Sequence, residues 1–201
     1  MIQQPLASEA DLSALISRAC IGDQLACTAM YQQYVRPVYR LAYGVLLDEQ
    51  DAEEVVQDSF TYAFASLGHF DPARASFKTW LYTITMSRCR NKRRRKWLPT
   101  INLADVADWL PGGESHPERI VVEHGVRETV LEALHGLRPK LREAVALRYF
   151  DGLTFKELAE VLGCPQKTAE SRVRLAHEAL YSVLADQRDS LLEGLFGHEA
   201  R

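Results

Sequence analysis

Apolar residues recur at helical spacing along almost the whole chain. The cleanest run lies between residues 48 and 67, where Ala52, Val55, Val56, Ser59, Phe60, Ala63, Phe64 and Leu67 keep to the i, i+3, i+4 rule. Asp48 stands where an N-cap belongs, and Gly68 stands where the run stops. Upstream, Ser8 and Asp11 make a capping-box pattern before "LSALISRA", and Gly22 ends that segment. Asp23 then caps a longer helix in which Leu25, Ala29, Met30, Tyr34, Leu41, Ala42 and Val45 share the period, with Pro37 expected to kink it. "HFDPARA" reads as a loop turning on its Asp-Pro step. Ser76 caps a fourth helix, "FKTWLYTITMSRCRNKRRR". On it Phe77, Trp80, Leu81, Ile84 and Arg88 share one face, and Thr83, Ser87, Asn91 and Arg94 form a polar stripe beside them.

The period fails between residues 98 and 117. "LPTINLADVADWLPGGESHP" holds three prolines and two adjacent glycines. It reads as a flexible linker between two small helical domains, residues 1–97 and 118–201, so the fold class is all-α. In the second domain Val126, Val130, Leu131, Leu134 and Leu137 make one helix face, and Pro139 suits the first turn of the next helix. Asp151 and Gly152 make a turn. Thr154 and Glu157 form a second capping box opening "FKELAEVL", Gly163 closes it, and Pro165 starts a last helix. A short capped helix, a glycine turn and a second amphipathic helix are the parts of a helix-turn-helix.

Composition sharpens this picture. The 201 residues are 47% hydrophobic and 25% charged, which predicts a folded globule. No apolar run approaches the roughly 20 residues of a membrane span, so no membrane insertion is expected. The N-terminus lacks a basic patch followed by an apolar stretch, so no secretion signal is expected either. Cys20, Cys27, Cys89 and Cys164 have no C-x-x-C spacing and predict reduced thiols in a cytoplasmic protein. The formal net charge of −3 hides a strong asymmetry. "DEQDAEEVVQD" carries six acids and no base, whereas "MSRCRNKRRRKW" carries seven bases and no acid. An acidic face and a basic face need different partners.

Three surfaces therefore carry candidate chemistry. On the last helix, packing by Ala169, Val173, Ala176 and Leu180 leaves Lys167, Thr168, Ser171, Arg172 and Arg174 on the N-terminal part that enters a major groove in such motifs. The basic helix joins phosphate-neutralising Arg90, Arg93, Arg94 and Arg95 to Trp80 and Tyr82 one or two turns earlier, whose ring faces can stack on unpaired bases, a combination suited to DNA whose strands are separating. Ser87 and Asn91 of the same helix complete the set. A solvated helix end, favoured by the macrodipole, is the competing account of that run. The acidic helix offers Asp51, Glu53, Glu54, Gln57 and Asp58 either as a wet face or as a docking face for a basic protein. No His or Cys joins them at ligand spacing, so no metal and no cofactor is expected. The six histidines are scattered, and no nucleophile elbow, phosphate-cradling glycine loop or H-E-x-x-H occurs, so no enzyme is expected.

In this order, "DAEEVVQDSF", "FKTWLYTI" and "LTFKELAEVLGCPQKTAESRVRLA" resemble an extracytoplasmic-function sigma factor of the sigma-70 superfamily. The resemblance runs from about Asp23 to Leu184. It implies a promoter-specificity subunit of bacterial RNA polymerase, with residues 1–97 as region 2 and residues 118–201 as region 4. The acidic helix would dock on core polymerase, the basic helix would engage the melted minus-ten element, and the helix-turn-helix would read the minus-thirty-five element of promoter DNA. An anti-sigma factor is a further implied partner. The chain departs from the family pattern at Ser87, where Asn is frequent and Asn91 lies one turn on, and at Leu175 and His177, where Arg is common. The alternative is a stand-alone helix-turn-helix regulator, for which the acidic helix has no use.

Overall fold

Each helix begins where something can satisfy its free backbone N–H groups. The computed structural model describes residues 9–97, 121–150 and 152–196. The expected linker at 98–117 and the cap at Ser8 lie outside the described residues. Helix α1 (Glu9–Cys20) ends before Gly22, whose φ of 88° is a left-handed conformation natural to glycine. Asp23 accepts from the N–H groups of Leu25 and Ala26 and opens α2 (Gln24–Leu46). That helix continues through Pro37 and stops at Leu47, a non-glycine residue in the left-handed region. One residue on, Asp48 accepts from Asp51 N–H at 2.9 Å and starts α3 (Glu49–Ala65). A single 3-10 turn, Leu67–His69, leads to the Asp-Pro loop. Ser76 Oγ then accepts from Thr79 N–H and starts α4 (Phe77–Trp97).

The second half is built the same way. Helix α5 (Val121–Gly136) is followed by α6 (Pro139–Tyr149), which has its proline in the first turn. Thr154 and Glu157 complete a reciprocal capping box at the start of α7 (Phe155–Leu162). Gly163, at φ 64°, ends α7 and lets the chain turn into α8 (Gln166–Phe196). Every described element is helical, in keeping with the expected all-α class.

The first domain packs α2, α3 and α4 around Met30, Leu41, Val45, Val55, Leu81, Tyr82 and Met86, each at most 2% exposed. Burying one such side chain contributes about 1.5–3 kcal/mol. In the second domain Leu158, Ala159 and Leu162 meet Ala169 and Val173 across the helix-turn-helix, as the spacing predicts. Leu25 differs from expectation. It is 76% exposed, because it sits in the first turn of α2 beyond the reach of α3 and α4. The two halves also touch: α6 packs on α2, and α7 packs on α4.

Candidate nucleic-acid interface

Three surfaces take shape from these elements. On α3 the residues Val55, Val56, Ser59 and Phe60 turn inward, so Glu53, Glu54, Gln57 and Asp58 turn outward, all exposed. Tyr31, Val35, Arg36, Tyr39 and Arg40 of α2 border a groove with Glu53, Val56 and Gln57. Asp51, expected on the same face, is a correction. It is only 7% exposed and points at α4, where Lys92 Nζ lies 3.5 Å from its Oδ1 and Lys96 pairs with its Oδ2. The reason is position: Asp51 is one residue before buried Ala52, on the edge of α3 that abuts α4.

The same seam occupies much of the basic run. Lys92 also pairs with Glu54, and Lys96 with Asp48 at 3.2 Å. The hydrogen bond to Glu54 raises the Lys92 ammonium above its ordinary pKa, with the charges of Glu54 and Asp51 adding to it. Hydrogen bonds to Asp51 and then Asp48 raise Lys96 likewise. Asp48 is held below the usual carboxylate range, first by the Asp51 N–H and then by Lys96. Neither lysine was singled out from sequence; the signal was the acidic run itself, some forty residues upstream.

Of the residues expected at the basic surface, Ser87, Arg94 and Arg95 are exposed. Asn91 is half-buried and accepts a 3.4 Å hydrogen bond from Arg94. Thr83 and Ser87 extend this open hydroxyl stripe toward the start of α4. Trp80 is half-buried. Its ring packs against Phe70 and Phe77, with centroids 5.4 and 5.7 Å apart. Trp80 therefore braces the Asp-Pro loop against α4 while part of its ring stays exposed; Tyr82, expected as a second stacking face, is instead fully buried in the core of the first domain.

Arg90 and Arg93 point elsewhere. Arg90 Nε and Nη2 donate to Glu143 Oε2 at 3.1 and 2.9 Å, and Arg93 Nη2 donates to Glu143 Oε1 at 3.0 Å. Glu143 is on α6 and only 2% exposed. One residue before Arg90, Cys89 is fully buried, and that burial pushes its thiol pKa to about 12.

The helix-turn-helix surface is more open. Lys167 and Arg174 are exposed; Thr168, Ser171 and Arg172 are half-buried on neighbouring turns. Arg174 pairs with Glu178 of the next turn at 2.6 Å. Lys167 and Arg172 form no ion pair among the described residues. His177 stacks on Tyr149 and shares a hydrogen bond with its hydroxyl, so the two side chains brace α8 against the end of α6. Leu175 is 43% exposed. The described residues contain no cluster of His, Cys, Asp and Glu that could hold a metal ion, and none of their helices is long and apolar enough to cross a membrane.

Comparison with known proteins follows the same two-part division. Residues 30–98 match the family described as Sigma-70 region 2, and residues 127–180 match Sigma-70, region 4. The RNA polymerase sigma-H factor of Pseudomonas aeruginosa is 30% identical over 178 residues, covering 85% of this chain and 92% of that protein. The ECF RNA polymerase sigma-E factor of Escherichia coli (strain K12) is 30% identical over 174 residues, covering 83% and 90%. Among solved structures, CnrH in complex with the cytosolic domain of CnrY aligns with a TM-score of 0.66 at 25% identity, over 89% of this chain and 99% of that one. The sigma factor RpoE in complex with the anti-sigma factor NepR, from Bartonella quintana, shares the fold with a TM-score of 0.63 at 22% identity, over 79% and 96%.

Proposed function

This chain belongs to the extracytoplasmic-function sigma factors of the sigma-70 family, and from that premise we propose how its three surfaces divide the work. It is a promoter-specificity subunit of RNA polymerase. Glu53, Glu54, Gln57 and Asp58 form the face of α3 that docks on core polymerase; Asp51 is left out because it serves the seam with α4. Ser87, Asn91, Arg94 and Arg95 contact the melted minus-ten element, joined by Arg90 and Arg93 when these are released. Trp80 offers the exposed part of its ring to an unpaired base. Thr168, Ser171 and Arg172 approach base edges of the minus-thirty-five element, while Lys167 and Arg174 hold phosphates on either side.

The domain limits follow the same division: residues 1–97 carry region 2, residues 98–117 link, and residues 118–201 carry region 4. The chain acts by binding and not by catalysis, in the cytoplasm where polymerase and promoter meet. CnrH was solved with a protein bound to it, and on that likeness an anti-sigma factor is a further partner.

One observation carries the reading. A single domain presents exposed carboxylates on α3 and an exposed basic and hydroxyl stripe on α4, and a helix-turn-helix follows it. A bridge between a basic protein clamp and DNA needs both signs of charge on separate faces. The test is Glu53→Lys together with Asp58→Lys, which reverses two exposed charges without touching the Lys92 and Lys96 pairs. Core polymerase affinity should fall at least tenfold while circular dichroism stays that of the parent. Unaltered affinity would remove α3 from the docking role.

A further inference from the structure

Two of the cations assigned to the promoter surface are already bound. Glu143 accepts from Arg90 on one carboxylate oxygen and from Arg93 on the other. Other contacts fasten the same junction between the domains. Gly44 of α2 is a socket for Phe150, for a Cβ there would lie 2.0 Å from Phe150 Cε2. Arg142 Nη1 reaches the carbonyl of Val45 at 3.4 Å, and α7 lies along α4.

From this geometry we infer that the chain closes on itself. Glu143 takes the place of a DNA phosphate between Arg90 and Arg93, so the free factor holds part of its own promoter-melting surface shut. Binding of melted DNA requires α6 to leave α4. This rests on the reading of α4 as a DNA face.

The charge balance of the junction makes the closure reversible. Two guanidinium groups (Arg90 and Arg93) share one carboxylate, and a third, Arg142, lies nearby with its donors on the carbonyls of Val45, His135 and Leu137. Arg142 is depressed in pKa, first by burial and then by the nearby charge of Arg93. Its Nε is buried with no hydrogen-bond partner among the described residues. Such a cluster carries surplus positive charge, and a strand of phosphates neutralises it better than a single glutamate does. A strand of phosphates can begin to displace Glu143 from the rim, where the Arg90 and Arg93 side chains are 38% and 36% exposed. Carboxylate burial itself carries a desolvation cost that opening relieves.

The full chain without polymerase tests this, with a fluorescent oligothymidylate as the probe and small-angle scattering as the measure of opening. Glu143→Gln keeps the shape of the side chain and removes its charge. It should bind the oligonucleotide on the order of tenfold more tightly, since charge-assisted hydrogen bonds no longer compete. The dependence of log affinity on log salt should steepen by up to about 1.4, the share of two newly available single-strand contacts. Its radius of gyration should rise. Gly44→Ala displaces the Phe150 ring and leaves every charge in place, so it should shift all three readings the same way by less. Unchanged oligonucleotide affinity and salt slope for Glu143→Gln would overturn the inference, whatever the scattering shows. The underlying assignment is tested separately, by Arg90→Ala with Arg93→Ala in holoenzyme on promoter DNA. Parental promoter affinity there would sink the DNA role of α4, and with it the inference, even if Glu143→Gln opens the molecule.

Discussion

Helices α4 and α8 both carry cations suited to phosphate, yet they stand in opposite states. On α4, Lys92 and Lys96 are neutralised by α3, and Arg90 and Arg93 by Glu143 of α6. On α8, Lys167 and Arg172 form no ion pair among the described residues, and Arg174 meets only its own neighbour Glu178. An i, i+4 pair of that kind contributes about 0.3–0.5 kcal/mol and yields readily to a ligand. Density of positive charge is therefore a poor guide to availability. What decides it is whether the fold supplies a carboxylate at the same spot, and at what cost in desolvation.

The sharpest way to break the comparison is to remove the cations and read stability. Arg90→Ala with Arg93→Ala strands a buried carboxylate, which should cost as much as about 3–5 kcal/mol in urea unfolding of the full chain. Lys167→Ala, on an exposed site, should stay within about 0.5 kcal/mol of the parent. Equal midpoints for the two would erase the distinction. Next in size is specificity within α8. Against a library of minus-thirty-five variants in holoenzyme, Arg172→Ala should lose about 1–3 kcal/mol of discrimination at one position. Lys167→Ala should weaken all sequences alike, and the opposite pattern would mean the helix lies differently in the groove.

The smallest effect concerns pH. Asp48 has a lowered pKa, so its contribution is present above about pH 4 and is lost as pH falls through its folded value. Lys92 and Lys96 have raised values, so theirs is present below about pH 10 and is lost as pH rises through the folded value. The thermal midpoint should be level between those limits and sag beyond both. Lys96→Gln should soften the alkaline sag, and an unaltered alkaline limb would show that the α3–α4 seam contributes nothing.

The helix ends were legible because caps are local. Asp23, Asp48, Ser76 and the Thr154–Glu157 pair each bond within three residues of themselves. Glu53, Glu54, Gln57 and Asp58 on α3 followed from the period, since the inward positions are apolar or, at Ser59, small; Asp51 did not. What the period could not show were partners fifty or a hundred residues away. Asp51 meets Lys96, Glu143 meets Arg90, and Gly44 meets Phe150, none of them neighbours in sequence. Two faint signals existed. Gly44 sits in a helix interior, where glycine costs about 1 kcal/mol relative to alanine and so points to close packing. Glu143 stands beside the apolar run Ala144–Leu147, an odd place for a charge unless something answers it.

Cys89 gives the α4 contacts a redox meaning. Thiolate is the form that oxidants attack, and a thiol at about pKa 12 is ionised only about once in 10⁵ at neutral pH. Cys20, by contrast, is exposed at the end of α1. The folded chain therefore shields Cys89 from oxidants and presents Cys20 to them. The packing that seats the helix carrying Arg90 and Arg93 also keeps its one thiol buried and protonated.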